Sequence, residues 1–335
     1  MADDKAANNS TAIAQVALTE GSSKPMRSSS PPGQGMRTLV TGATGFIGSH
    51  LTERLAVSEH EVHVLVRQSS DPTALASLSP RVKLHVTDGS FANLKAIIRS
   101  AAPEIVFHAA SRFLSEHQPE DVAALVQSNI LFPCQLVEVM IRNGVHRLVN
   151  CNTSWQHYQG KEYSPVCLYA ATKQAFSDLL RYYVEVMGLS VVNLTLFDTY
   201  GPNDRRQKLF STLYRTVTSG EGTAFSPGDQ LINIVYIDDV VDAFIVAAHR
   251  LLEGSDARFE DFAVRTTETV RLRALVDIFS MVTGLTPKVV WGGRPYRNRE
   301  MMTPWEGGAL LPGWSAKVGL HEGIRRMHAD HVRTT

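Results

Sequence analysis

The run Thr41-Gly42-Ala43-Thr44-Gly45-Phe46-Ile47-Gly48, directly after the apolar pair Leu39-Val40, constrains the fold more than any other stretch of the chain. A short apolar strand leads into glycines, and the glycines lead into a helix pattern that begins with Phe46-Ile47 and continues to Leu51. Glycine at such a turn admits backbone conformations closed to other residues and lets a ligand approach main-chain N–H groups. A helix N-terminus at the same place completes a cradle for a pyrophosphate. The spacing is Gly-x-x-Gly-x-x-Gly rather than Gly-x-Gly-x-x-Gly, so the assignment rests on the strand-to-helix context. Gly42, Thr44, Gly45, Phe46, Ile47 and Gly48 are the candidate cofactor contacts of this turn.

Downstream of this turn, strand and helix patterns alternate. Strands are predicted over 38–41, 61–67, 82–86, 105–107, 147–151 and 191–197, and helices over 45–57, 92–100, 121–143 and 169–187. Such alternation predicts an α/β fold with a doubly wound parallel Rossmann sheet and a ligand site at the strand carboxyl ends. Residues 36–200 are read as this dinucleotide-binding domain, which also receives about 231–266. Residues 201–230 and 267–330, punctuated by Pro, Gly and Trp, read as a smaller C-terminal substrate-binding lobe that closes a cleft. Residues 1–35 are rich in Ser, Ala, Asn and Gly and are expected to be a disordered leader without a signal-peptide core.

The second strand ends in Arg67-Gln68-Ser69-Ser70, with no acidic residue to bind ribose hydroxyls and repel a 2′-phosphate. Arg67 and Ser69 suit that phosphate, so NADP(H) is the expected cofactor rather than NAD. Asp88, after the third strand, is placed to accept from the adenine amine. Tyr169 and Lys173, four apart in Tyr169-Ala170-Ala171-Thr172-Lys173, share one helical face. Lys173 is expected to lower the pKa of the phenol from its usual value of about 10 and to hold the cofactor ribose. Tyr169 would then protonate a carbonyl oxygen as hydride reaches its carbon. Ser154 at the end of the fifth strand, with Thr153 beside it, is the candidate third donor.

These features resemble the extended short-chain dehydrogenase/reductase family of epimerase/dehydratase type. Phe197-Asp198-Thr199-Tyr200-Gly201-Pro202 resembles its Tyr-Gly-Pro loop, and Val235-Tyr236-Ile237-Asp238-Asp239-Val240 its helix start. In that helix start, Asp238 is read as an N-cap rather than as half of a catalytic dyad. Ser154 to Tyr158, Leu168 to Phe176, Tyr296-Arg297, Glu300, Trp305 and Leu311-Pro312-Gly313-Trp314 are similar to a nucleotide-sugar subgroup with CDP-abequose and CDP-paratose synthases and other 4-ketoreductases. The resemblance implies reduction, by NADPH, of the 4-keto group of a nucleotide-linked 4-keto-6-deoxyhexose. It also implies cofactor contacts at Ala109, Ala110, Ser111 and Phe197, and substrate contacts at Arg112, Asn152, Thr199, Lys208 and Arg297. Lys208 and Arg297, with Arg205 and Arg206, suit a substrate pyrophosphate.

Dehydratases of the family carry Asp-Glu where this chain has Trp155-Gln156, and its epimerases usually carry an acidic residue where this chain has Arg67. The alternatives are an NDP-sugar 4-epimerase with bound NAD and, in another class, a non-catalytic dinucleotide-sensing regulator. Equal counts of 33 basic and 33 acidic residues give no reason to expect nucleic acid or a membrane surface as partner. Cys134, Cys151 and Cys167 have no metal spacing, and His63, His108 and His157 fall on separate elements, so no metal is expected. Reduced thiols point to the cytoplasm, and the predicted helices at 121–143 and 169–187, apolar on more than one side, point to a homodimer.

Overall fold

A computed structural model of the chain describes residues 35–334, apart from 59, 77, 79 and 255–257. The expected leader lies outside the described residues except for its last position. Strands β1 (Arg37–Thr41), β2 (Glu61–Arg67), β3 (Val82–Thr87), β4 (Ile105–His108), β5 (Arg147–Thr153), β6 (Ser190–Leu196) and β7 (Phe259–Val264) form, among the described residues, one seven-stranded sheet in the order β7-β6-β5-β4-β1-β2-β3. All neighbours in it are parallel. The main helices are α1 (Phe46–Val57), α2 (Phe91–Ala101), α3 (Asp121–Arg142), α4 (Leu168–Met187), α5 (Leu209–Ser219), α6 (Ile237–Glu253), α7 (Leu272–Thr283) and α8 (Leu320–Thr334). The architecture is the expected doubly wound Rossmann sheet.

Both faces of a parallel sheet are covered, so both sets of alternating side chains are apolar. Leu39, Val106, Leu148 and Val191 pack with Leu94 of α2, Leu136 of α3 and Phe176 of α4. Val40, Phe107, Val149 and Val192 belong to the opposite core, with Leu51 of α1 and Phe244 of α6. β1 lies between β2 and β4, and the chain winds outward from it in both directions. That reversal opens the crevice at the carboxyl ends of β1 and β4.

Helix α3 departs from a regular ladder over Gln127–Leu131, where a π-turn precedes Pro133. Proline lacks an N–H and crowds the preceding turn, and a widened turn absorbs the mismatch. By length and composition α3 is long and apolar enough to cross a membrane, although no membrane span was expected from the sequence. Leu125, Leu136, Val137, Val139 and Met140 of this helix are buried in the protein, which accounts for part of its apolar character, whereas Val122, Val126 and Leu131 are exposed.

The segment 231–236 does not extend the main sheet. Leu231–Ile232 pairs antiparallel with Val270–Arg271, and Ile234–Tyr236 pairs parallel with Asp198–Tyr200. Of the region 231–266, β7 is the part that joins the sheet, and α6 packs on it. Asp238 does not cap α6. The helix begins at Ile237 after Tyr236, with no side-chain cap, and Asp238 lies in its first turn, 3.7 Å from Arg326. Its buried neighbour Asp239 instead accepts the backbone N–H groups of Lys317 and Val318, both at 3.0 Å. Trp314 Nε1 donates to the Asp239 carbonyl at 2.8 Å. One carboxylate thus fastens the C-terminal segment to α6. Asp239→Ala leaves two N–H groups without their charged acceptor and is expected to lower unfolding stability by about 2–4 kcal/mol. Urea denaturation measures this, and a loss below about 0.5 kcal/mol would show the attachment to be carried elsewhere.

Candidate active site

The glycine turn holds β1, α1 and the end of β4 at backbone distance. Gly42 has φ +74°, and a Cβ built on it would lie 2.6 Å from the Ala110 nitrogen. A Cβ on Gly48 would run into the Gly42 carbonyl. Ala109 N and Ala110 N donate to the carbonyl and hydroxyl of Thr41, each at 3.3 Å. Thr44 and Gly45 are exposed, and α1 starts at Phe46 without a side-chain cap. Its first N–H groups are therefore available to an anion at the helix N-terminus. The cradle fits a dinucleotide pyrophosphate.

Arg67 ends β2 and is exposed, with Ser69 beside it. Among the described residues no carboxylate lies within ion-pair distance of Arg67. Asp88 follows Thr87, the register partner of Arg67, and its carboxylate accepts from Ser90 N at 2.7 Å. That bond holds the carboxyl below its usual range.

Helix α4 carries Tyr169 and Lys173, both buried, one turn apart. Burial pushes the Tyr169 phenol above its ordinary range, against a hydrogen bond with Ser111 that acts the other way. Lys173 is itself deprived of water, and its pKa falls. The expectation that Lys173 pulls the phenol down is not met: desolvation dominates both groups. Ser111, predicted as a cofactor contact, lies beside the phenol, and Phe113 meets the Tyr169 ring edge to face.

Ser154 and Thr153 differ in what they have free. Thr153 Oγ1 accepts from Trp155 N at 3.3 Å, and Thr153 N donates to Gln156 Oε1 at 3.1 Å, which closes the turn after β5. Ser154 Oγ has no hydrogen-bond partner among the described residues and lines a cavity of about 900 Å³. Thr153 thus shapes the turn, and Ser154 faces the cavity from it.

Phe197, Thr199, Lys208 and Arg297 also line this cavity. Lys208 Nζ lies 4.4 Å above the Phe113 ring and 3.8 Å from Asp198. Arg297 makes a two-pronged pair with Glu300, at 3.0 and 2.8 Å, and lies over Trp155. Arg206 is committed to Asp204 and to the Thr199 carbonyl, and stacks on Phe46. Two predicted substrate contacts fall outside the cavity lining. Arg112 pairs with Asp121 at 2.9 Å. Asn152 is buried, and its amide bonds Ser177 at 2.9 Å.

Asn129 escaped the sequence reading. It sits in the π-turn of α3, accepts from Arg112 N at 2.8 Å, and donates to Arg112 O and to Thr172 Oγ1, both at 3.0 Å. It thereby ties the loop carrying Ser111 to the helix carrying Tyr169. A polar pair, Ser128-Asn129, in an apolar helix just ahead of Pro133 is the signal that could have found it.

The glycine turn, the Tyr169–Lys173 pair and the Ser154 turn all fall within residues 38–259, which match a family model described as the NAD dependent epimerase/dehydratase family. The chain belongs to that family. CDP-abequose synthase of Salmonella muenchen is 26% identical over 297 residues, spanning 87% of this chain and 96% of that protein. UDP-glucose 4-epimerase of Mycolicibacterium smegmatis is 28% identical over 311 residues, 87% of this chain and 97% of the other. Among solved structures, MoeE5 in complex with UDP-glucuronic acid and NAD matches with a TM-score of 0.76 at 25% identity, covering 89% of this chain and 99% of that one.

In this family member the raised Tyr169 pKa has a sign that can be measured. A general acid must stay protonated, and burial keeps the phenol protonated beyond its ordinary value of about 10. An ultraviolet pH titration of the wild type against Tyr169→Phe is expected to place the missing ionisation above pH 10. A missing step below about pH 9 would mean that Lys173 outweighs burial after all.

Proposed function

We propose that the protein is an NADPH-dependent 4-ketoreductase of a nucleotide-linked 4-keto-6-deoxyhexose, with a TDP- or CDP-sugar as substrate. The observation that carries this reading is the exposed Arg67 at the end of β2, without an ion-pair partner among the described residues, beside a cradle that fits a dinucleotide pyrophosphate. A guanidinium there favours a 2′-phosphate, and a phosphorylated cofactor suits an exchangeable reductant. The nearly full-length likeness to CDP-abequose synthase supports the same reading. A second reading, an NDP-sugar 4-epimerase with bound NAD, draws support from the likeness to the mycobacterial epimerase and from the NAD in MoeE5. A non-catalytic dinucleotide sensor is disfavoured, because Tyr169, Lys173 and Ser154 are all retained.

A bound nicotinamide cofactor would supply hydride to the sugar carbon, and the chain manages the proton. Tyr169 gives its phenolic proton to the ketone oxygen. Ser154 Oγ donates a hydrogen bond to that oxygen and orients it. Lys173 holds the ribose hydroxyls and faces the phenolate that forms. Lys208 and Arg297 take the substrate diphosphate. Three unpaired thiols, Cys134, Cys151 and Cys167, suit a reducing cytoplasm. Exposed Val122, Val126 and Leu131 of α3 with Leu179, Tyr182 and Val186 of α4 suit a second copy of the chain.

Tyr169→Phe should lower turnover about 10²–10⁴-fold while cofactor binding survives. Lys173→Met should harm both, and Ser154→Ala should lower turnover with NADPH affinity kept. Near-normal turnover of Tyr169→Phe with a nucleotide 4-keto-6-deoxyhexose would reject the mechanism, and melting curves exclude misfolding. NADPH should bind more tightly than NADH in a fluorescence titration, and Arg67→Ala should narrow the gap. Equal affinities in the wild type would favour the epimerase reading. Light scattering should report a dimer at micromolar concentration, and a monomer would contradict that assembly.

A further inference from the structure

Phe113 stands on the loop between β4 and α3, and Trp155 stands in the turn that carries Ser154. Their ring centroids are 5.5 Å apart, with the planes tilted by 57°. Phe113 also meets Tyr169 edge to face, at 5.0 Å. Phe113, Ser154 and Trp155 line the cavity, whereas Tyr169 does not. Two of the cavity's cations, the ones proposed for the diphosphate, rest on the same rings, Lys208 4.4 Å over Phe113 and Arg297 5.1 Å from the Trp155 centroid. The path from the cations to the phenol is therefore walled by aromatic faces.

A nucleotide sugar joins its sugar directly to its diphosphate. With the diphosphate at Lys208 and Arg297 and the ketone at Ser154 and Tyr169, the sugar ring between them lies against Phe113 and Trp155. Carbon 6 hangs from carbon 5, the neighbour of the reacting carbon 4. The ring that touches Tyr169 is then in reach of the substituent at carbon 6. A methyl group there sheds water and gains contact with a ring face. A hydroxymethyl group sheds water and finds a ring where it needs a hydrogen-bond partner.

We infer that Phe113 and Trp155 are specificity-determining residues that select a hexose lacking oxygen at carbon 6. The inference rests on the nucleotide-sugar reading above and names the residues that read the missing oxygen. An apolar wall rejects an added hydroxyl only moderately, so the expected discrimination is about 10–100-fold.

The test measures binding, not turnover, so that it stands apart from the redox chemistry. Titration calorimetry with NADP⁺ present compares the CDP-, TDP- and UDP-linked forms of galactose and glucose with their 6-deoxy counterparts. For at least one base, the wild type is expected to bind the 6-deoxy member about 10–100-fold more tightly. Phe113→Asn and Trp155→Gln should each bring the pair within about threefold, and Trp155→Phe should keep the preference. Equal binding of the two members by the wild type overturns the inference whether or not any variant folds. Folded variants, verified by melting curves, that keep the full preference overturn it as well. If no pair binds with any base, the nucleotide-sugar reading fails, and this inference falls with it. A preference for 6-deoxy sugars in a protein that oxidises no NADPH would support the wall and overturn the reductase.

Discussion

The contact on which the rest of the site depends is one between main chains. Gly42 passes so close to Ala109 and Ala110 that a Cβ would sit within 2.7 Å of their backbone atoms, and Gly48 packs in the same way on the Gly42 carbonyl. Side chains at either place would push β1 from β4 or α1 from the sheet. Because they are absent, the ends of β1 and β4 lock through the two bonds to Thr41. The chain leaving β4 then delivers Ser111 to the Tyr169 phenol. The place where a pyrophosphate can sit and the place where a proton can be given are thus linked through a few residues of one loop, pinned from behind by Asn129.

Beneath this loop the sheet carries a polar stripe. Thr41, His108, Asn150, Asn193 and Asp261 are register neighbours across five adjacent strands. His108 Nδ1 meets Thr41 Oγ1 at 2.9 Å, and burial pushes the imidazole down to about 3, so it is neutral. Asn150 donates to Asn193 at 2.8 Å, and Asn193 donates to Asp261 at 2.7 Å. In a sheet buried on both faces, such bonds oppose a slip of register, which would strand several polar groups at once. They hold β5 in place, and with it the turn that presents Ser154. The stripe ends at Asp261, exposed on the edge strand β7.

How much of this was legible in the sequence follows from how local each cause is. The glycine turn, the alternation of strands and helices that builds a doubly wound sheet, and the shared face of Tyr169 and Lys173 all follow from short-range pattern, and they are where the sequence put them. Asp238 and Asp239 look alike in sequence; which of them is buried is decided by a segment more than seventy residues away. Arg112 and Asn152 are of the right type for a sugar or phosphate, but Asp121 and Ser177 occupy them. The segment 231–236 has a strand pattern, yet its partners are short segments outside the main sheet. Lys173 does share a face with Tyr169, but its effect on the phenol is a contest with burial, and burial cannot be read from spacing.

The account's central claim is that hydride enters the sugar from an exchangeable cofactor and stays there. The most direct measurement is a reaction of the protein with NADPH carrying deuterium in both positions at carbon 4 of the nicotinamide and a nucleotide-linked 4-keto-6-deoxyhexose, followed by proton and deuterium magnetic resonance of the product. The account predicts one deuterium at carbon 4 of the sugar for each NADPH consumed. Interconversion of 4-hydroxy epimers with no deuterium incorporated and no NADPH consumed would contradict it and identify an epimerase.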